Sequence, residues 1–430
     1  MDVFILRGAW HEKYGEIPNS LLRNNGDGTF TDVTLDAKIY SEKPTQTAAW
    51  SDINRDGWLD LFIANESSPK SKNVCELFIN NQDGTFTDYA VAFDLTAFKG
   101  YFKGCTIGDV NDDGWPDIYL SDYNGKNILA LHNGESELDN IQFKVVGNQV
   151  GVSQPERSFP TWMFDYNNDG LLDIFVSSYG DPNVPRLTTL ANCYLSTCSK
   201  ALCPHLYLNK GDGTFENVAH KIGLTEISLT MGCSYGDLNM DGNLDFFLAT
   251  GDPEYSTVVP NKVYLNSAEG HFYDVTTNGG FGNIQKGHAV GFADFDHDGD
   301  EDIYCVLGGV YEGDVFRNAL YENPTTTTQW LGIQLMGTKS NRCAIGSRLC
   351  LTVKKQDGIE KKIYRTISPG ASFGGNSLRE IIGLKDASSI TSLEIDWTFR
   401  ASEKQVFTDI PVNQFIQITE GTSAVKILAY

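Results

Sequence analysis

Aspartate and asparagine recur through this chain at a spacing that suits a hard cation. Five nine-residue stretches share the pattern D-x-[DN]-x-D-G-x-x-D: DINRDGWLD (52–60), DVNDDGWPD (109–117), DYNNDGLLD (165–173), DLNMDGNLD (237–245) and DFDHDGDED (294–302). Side-chain oxygens at positions 1, 3 and 5, a glycine at 6, a backbone carbonyl at 7 and a carboxylate at 9 make an oxygen shell that suits Ca²⁺. The predicted ligands are Asp52, Asn54, Asp56, Trp58 and Asp60, then Asp109, Asn111, Asp113, Trp115 and Asp117, then Asp165, Asn167, Asp169, Leu171 and Asp173. The last two loops supply Asp237, Asn239, Asp241, Asn243 and Asp245, and Asp294, Asp296, Asp298, Asp300 and Asp302, so that about five calcium ions are expected. An EF-hand would need a bidentate Glu at position 12, where this chain has Ile63, Leu120, Val176, Leu248 and Cys305. Turn propensity accounts for the Asp-Gly pairs. It does not require an oxygen at all four spaced positions in every copy, and carboxylates gathered so closely repel one another without a cation.

Other chemistry is sparse. The seven histidines fall into no metal-ligand spacing, and His297, at the variable fourth position of the last loop, reads as a surface residue. No P-loop or HExxH sequence occurs. Of nine cysteines, Cys105, Cys233 and Cys305 read as core residues on inner strands, while Cys193, Cys198 and Cys203 share one long insertion. Their spacing differs from the C-x2-C pairs of structural zinc sites; one disulfide among them is expected, with free thiols and a soft-metal site as alternatives. One sequon, Asn65-Glu66-Ser67, is a candidate glycan site.

The elements that must hold the loops are short strands. Runs such as LFIAN (61–65) and FFLAT (246–250) follow each loop, AAWSD- and CSYGD-type runs precede it, and hairpins such as HLYLNKGDGTFENVA (205–219) come about twenty residues on. The GDGTF turns lack spaced oxygens and read as turns only. First aspartates at 52, 109, 165, 237 and 294 give intervals of 57, 56, 72 and 57 residues, the third carrying the insertion. Four antiparallel strands repeating at this period describe propeller blades, which makes the fold class all-β. Residues 2–8 sit one period before Asp60, so six blades are represented, the first without its inner strand. The formal net charge is −23, yet residues 331–430 carry 13 Lys/Arg against 9 Asp/Glu, which predicts a propeller over 1–330 and a separate small β domain over 331–425. So acidic a surface disfavours nucleic acid, no apolar run reaches the ~18 residues of a membrane span, and no signal peptide is visible.

The loops and their strands resemble FG-GAP (integrin α-type) repeats, in the variant carried by the cartilage acidic protein family and its bacterial relatives. NRCAIGSRLCLTV (341–353), the stretch 367–397 and NQFIQITE (413–420) resemble the ASPIC/UnbV domain of that family. The sequence departs from the family pattern at Ile381-Ile382-Gly383-Leu384, usually His-Phe-Gly-Leu, and at Trp397-Thr398-Phe399-Arg400, usually Trp-Pro-Ser-Gly. The resemblance implies an integrin-α-like propeller of seven blades and an extracellular, matrix or cell-surface setting. The function expected is a secreted calcium-binding adhesion or recognition protein with an extracellular protein or glycan partner, neither a nucleic-acid binder nor inserted in a membrane. The alternatives are a propeller enzyme, such as a polysaccharide lyase or hydrolase, and a glycan-binding lectin, for which Trp58 and Trp115 give only partial repetition. The insertion at 179–205 is expected to be a dispensable surface excursion, and Asp386 a surface residue.

Overall fold

The computed structural model of the chain describes residues 2–180, 184–195, 198–252, 257–308, 316–324, 329–370, 372–385, 387–398 and 404–428. Asp386, Phe399 and Arg400 lie outside the described residues, as do parts of the insertion. Nearly all regular structure is strand. Four sheets repeat one antiparallel meander: Thr45–Ser51 with Asp60–Asn65, Glu76–Asn80 and Phe86–Asp88, and likewise the four-strand groups opening at Phe102–Gly108, Ser158–Phe164 and Thr230–Gly236. The first sheet has three described strands, Val3–Ile5, Ser20–Asn24 and Phe30–Asp32. Each of the five acidic stretches links the first two strands of its meander, and the second strand, rich in β-branched and aromatic residues, is buried almost throughout. From the second sheet onward each first strand packs beside the first strand of the next sheet, an arrangement consistent with a β-propeller-like fold.

Apolar side chains on facing sheets fill the spaces between them. Trp162 stacks on Phe175 at 3.9 Å between ring centroids, and Phe164, Tyr235, Phe246 and Phe272 complete that cluster. Cys105 and Cys233 lie on first strands as expected; Cys305 is equally buried but belongs to the second strand of its sheet, Asp302–Leu307.

The chain beyond residue 328 forms two further four-stranded sheets, with Gln329–Met336 central in one and Arg348–Lys355 central in the other, around a core that includes Leu331, Ile333, Leu351, Ile382, Leu393 and Ile416. This unit does not stand apart. Its strand Gly374–Asn376 pairs in parallel with Gly287–Ala293, the first strand of the sixth sheet, where Ala319–Tyr321 is the outer strand. Ser372 Oγ accepts the Cys105 N–H at 3.0 Å, and Asn376 donates to the Tyr235 carbonyl at 2.9 Å. A Cβ on Gly374 would lie 1.7 Å from the Cys233 carbonyl oxygen, so only glycine lets the two backbones approach. Residues 367–370 and 372–376 thus thread among the first strands of several sheets. A cavity of about 260 Å³ remains between it and the strands carrying Gln46–Ser51 and Cys105–Gly108.

The insertion is more than a surface excursion. It carries the helix Arg186–Leu195 and a disulfide between Cys193 and Cys198, with Cys203 left as a buried thiol. Leu190 packs with Ile227, Leu229 and Val259, and Arg186 Nε pairs with Asp252 at 2.9 Å, so the helix covers apolar surface of the next repeat. The sequon also reads differently in the fold. Asn65 is 1% exposed and its Nδ2 donates to Val74 O and Glu76 Oε2, which leaves the amide inaccessible for glycan attachment in the folded chain.

Candidate metal centre

All five loops close in the same way. The first-position aspartate spans the turn: one oxygen of Asp52 accepts the Asp56 N–H at 3.0 Å and the other the Gly57 N–H at 3.0 Å. Asp109, Asp165, Asp237 and Asp294 repeat both bonds at 2.7–3.2 Å. The fifth-position N–H is shared with the third-position side chain, from Asn54 at 3.2 Å to Asp296 at 3.2 Å. The fourth residue of every loop is left-handed, at φ between 56° and 66°, followed by the sixth-position glycine, also left-handed. That backbone path turns the oxygens at positions 1, 3 and 5 toward one another, which the sequence pattern encodes by placing residues tolerant of such turns between them.

The ninth-position aspartates are the most buried: Asp60, Asp117, Asp173 and Asp245 are 0% exposed and Asp302 2%. Each braces the loop, one oxygen accepting the second-position N–H and the other a backbone N–H from the hairpin that follows, as in Leu238 and Asn266 donating to Asp245 at 2.9 and 2.7 Å. Asp2 occupies the corresponding place in the first sheet, accepting the Asn24 N–H at 2.8 Å.

Burial raises the carboxyl pKa values of Asp60, Asp117, Asp173 and Asp245 well above the usual range, with nearby loop carboxylates adding to the effect. Burial likewise lifts Asp109, Asp165 and Asp237 to about 6, opposed by Arg348 at Asp109 and by Arg365 at Asp165 and Asp237. In the last loop, one carboxylate oxygen each from Asp294, Asp296 and Asp302 lies within 4.8 Å of the others. Both buried oxygens of Asp300 accept no protein hydrogen bond, and burial followed by repulsion from Asp298 and Asp302 pushes this group up to about 8. Converging carboxylates with unspent lone pairs are the donor set of a hard divalent cation. In all five loops positions 1 and 3 share the fifth-position N–H and position 9 holds the second-position N–H, while among the described residues three carboxylates lie within 4.8 Å of one another only in the last loop. At position 7, the N–H of Trp58, Trp115, Leu171, Asn243 and Asp300 donates to the fifth-position aspartate of its own loop.

Two sets of residues around the loops escaped the sequence reading. The hairpin asparagines reach backward: Asn209 Nδ2 donates to Val110 O, Asn266 Nδ2 to Tyr166 O and Asn323 Nδ2 to Leu238 O, each tying a loop of the preceding repeat at 2.6–2.8 Å. Their recurrence at the end of the LYLN, VYLN and LYEN runs was the available signal. The second set comes from the last two sheets, which lie against every loop. Arg348 pairs with Asp109 at 2.9 Å and with Asp112, Lys385 lies 3.6 Å from Asp241, and Lys361 donates to Asp241 O and Asn243 Oδ1. Asp237 Oδ2 accepts the Gly383 N–H at 2.8 Å, within 3.8 Å of Arg365. Gly57 meets Lys339 O, Gly170 the Tyr364 ring, and Gly299 the Trp330 ring. The positive unit sits on the acidic loops, as complementarity of charge would direct.

Comparison with known proteins agrees with this organisation. Residues 1–63, 52–120, 109–176, 165–248 and 237–305 match the FG-GAP-like repeat, and residues 337–425 match the domain described as ASPIC and UnbV. The chain is 24% identical over 294 residues to Cartilage acidic protein 1 of Xenopus tropicalis, covering 64% of this chain and 42% of that protein. It is 26% identical over 194 residues to Cartilage acidic protein 1 of Homo sapiens, covering 45% and 26% respectively. The chain thus spans less than half the length of the curated relatives it matches. Among solved structures, an exo-beta-1,3-galactanase from Phanerochaete chrysosporium aligns over 89% of this chain and 94% of its own at 9% identity, with a TM-score of 0.28, too low to carry an argument. The repeats matched over residues 1–305 and the domain matched after them make this chain a member of the FG-GAP-like repeat family that carries an ASPIC and UnbV domain.

Proposed function

We propose that this chain is a calcium-stabilised extracellular recognition module: a propeller of six represented blades whose loops hold Ca²⁺ at positions 1, 3, 5, 7 and 9 and whose loop face is capped by the ASPIC and UnbV domain. The observation that carries this reading is the fivefold recurrence of one loop geometry, which in the last loop brings Asp294, Asp296 and Asp302 within 4.8 Å of one another and leaves both oxygens of Asp300 without a protein donor. Calcium supplies the charge that lets those carboxylates stay ionised. The residues of the chain set the turn, brace it from the ninth position and seat the cap. The Cys193–Cys198 disulfide and the similarity to proteins named cartilage acidic protein support an extracellular setting. Recognition is favoured over catalysis in a central channel because residues 372–376 pack among the first strands, with Phe159 in ring contact with both Trp10 and Phe373. The test is calorimetric titration of the metal-stripped chain with calcium. The expected result is binding of about five ions that magnesium displaces poorly; no heat and no bound calcium by elemental analysis would overturn it.

A further inference from the structure

Six residues before each first loop aspartate, every repeat makes the same backbone irregularity. The first strands carry a register shift at Thr45/Thr47, Phe102/Gly104, Ser158/Thr161, Thr230/Gly232 and Gly287/Ala289, at the end of the sheets remote from the loops. The residues at that offset are Gln46, Lys103, Phe159, Met231 and His288. A bulge re-aims a side chain that would otherwise alternate with its neighbours, and bulges concentrate beside functional sites. Here five equivalent re-aimed positions hold five different chemistries, whereas the loops repeat theirs.

Gln46, Lys103 and Phe159 meet at one mouth, around Trp10. Lys103, 0% exposed, donates to Gln46 Oε1 at 2.8 Å and pairs with Glu66, and its ammonium lies 3.3 Å from the centroid of Trp10. Trp10 stacks on Phe159 with centroids 5.9 Å apart and touches Tyr101 and Tyr123 edge-on, while 39% of it stays exposed. Trp10 is held at φ 71° and anchored by its N–H to Glu66 Oε2 at 2.9 Å. His288 lies against Met231. Beside Trp10, the Arg157 guanidinium lies 4.5 Å from the Tyr123 ring and donates to its hydroxyl. Arg157 is itself left-handed, at φ 61°. The cations here differ in one respect: Lys103 is matched by Glu66 and Arg186 by Asp252, but among the described residues Arg157 has no carboxylate partner, and its buried Nε donates to no acceptor. In a chain of net charge −23, a guanidinium without a counter-charge, on a strained backbone beside an exposed indole, is placed at a cost that a ligand would offset.

We infer that this mouth is a binding site for a carboxylate-bearing sugar, a uronate residue of an acidic glycan, with the sugar face on Trp10 and its carboxylate forked by Arg157. A planar guanidinium matches a carboxylate bidentately, and an amphipathic ring offers the flat surface that a pyranose covers. The inference deepens the recognition reading by naming a ligand class and does not depend on calcium, since the loops lie at the opposite end of the strands.

The test is calorimetric binding of trigalacturonate to the full chain in calcium, with its methyl ester, a neutral galactose trisaccharide and a tetraglutamate peptide as separate arms. Trigalacturonate alone should bind. Arg157→Gln should weaken it at least about tenfold, the scale of a lost charged hydrogen bond. Trp10→Phe should retain part of the affinity that Trp10→Ala loses, and Arg23→Gln, on an exposed strand of the first sheet, should change nothing. Unchanged melting of Arg157→Gln separates a binding loss from a folding loss; a variant that melts early is replaced by Arg157→Lys, whose point charge should also bind more weakly. The inference is overturned if trigalacturonate does not bind, if its ester or the peptide binds as well, or if Arg157→Gln and Arg23→Gln behave alike. Trigalacturonate binding without calcium uptake would instead sink the calcium reading and leave this one standing.

Discussion

The two ends of the same strands are built on opposite rules. At the loop end, five repeats place the same residue types in the same geometry, with the first aspartate accepting two N–H groups and the ninth bracing the turn in each copy. At the other end, the bulge position holds Gln46, Lys103, Phe159, Met231 and His288, no two of them alike. On the proposed reading, a cation held identically in every repeat fixes residue types, while the asymmetric ligand of the mouth demands no repetition, and Lys103 and Phe159, both 0% exposed, serve by seating Trp10. On that reading, sameness marks the scaffold of this chain and difference its selectivity.

The sharpest way to break that division is to damage the loop end. Asp245→Ala removes a 0% exposed acceptor of the Leu238 and Asn266 N–H groups together with a proposed ligand, and should cost about 3–5 kcal/mol by urea denaturation in calcium. A cost no larger than that of the exposed Asp357→Ala would show that the ninth position is not structural. Excising 181–201 with a short Gly/Ser bridge should come next. The loop-closure cost is small, but Ile227, Leu229 and Val259 lose the cover of Leu190, and Asp252 loses Arg186, so a loss of about 2–4 kcal/mol is expected. An unchanged denaturation midpoint would make the segment dispensable after all.

Arg348→Gln probes the cap. Its pairs with Asp109 and Asp112 are partly exposed, so the stability change should be about 1 kcal/mol or less and should shrink in 1 M salt. Limited proteolysis should nevertheless release the unit beyond residue 328 more readily; equal proteolysis with wild type would mean that charge does not hold the cap. The smallest effect is one of slope. Because burial raises the folded-state pKa of Asp109, Asp165 and Asp237 to about 6, the metal-free fold binds more protons than the unfolded chain. Their contribution is present at low pH and lost as pH rises through about 4 to 6, so metal-free melting should be higher at pH 5 than at pH 7.5. Calcium, which needs the ionised carboxylates, should flatten or invert that order; the same slope with and without calcium would contradict it.

How far each region could be read from sequence follows the same contrast. The loops were legible because one turn geometry ties residue types to fixed short spacings, and the second strands because burial on both faces gives continuous apolar runs such as FFLAT. The docking of the last two sheets was not, since Arg348 meets Asp109 across 239 residues and Gly374–Asn376 joins a sheet more than eighty residues earlier, pairings that no local pattern specifies. The charge switch near Trp330 showed only that the two units differ. Asn65 misled because a sequon is a local pattern, while accessibility depends on Val74 and Glu76 closing over the amide. The mouth was hidden for a simpler reason: a constant offset with five unlike residues leaves no motif to find.

The account rests most directly on whether the loops take up calcium and depend on it. Thermal melting in millimolar calcium, in excess EDTA and in magnesium, with calcium counted by elemental analysis, decides this. A site at one hundred times its dissociation constant adds about 2.7 kcal/mol, so several loops together should raise the melting temperature by well over 10 °C in calcium alone, with about five ions per chain. Coincident melts in all three conditions, with no calcium bound, would contradict the account and reduce the acidic loops to turns.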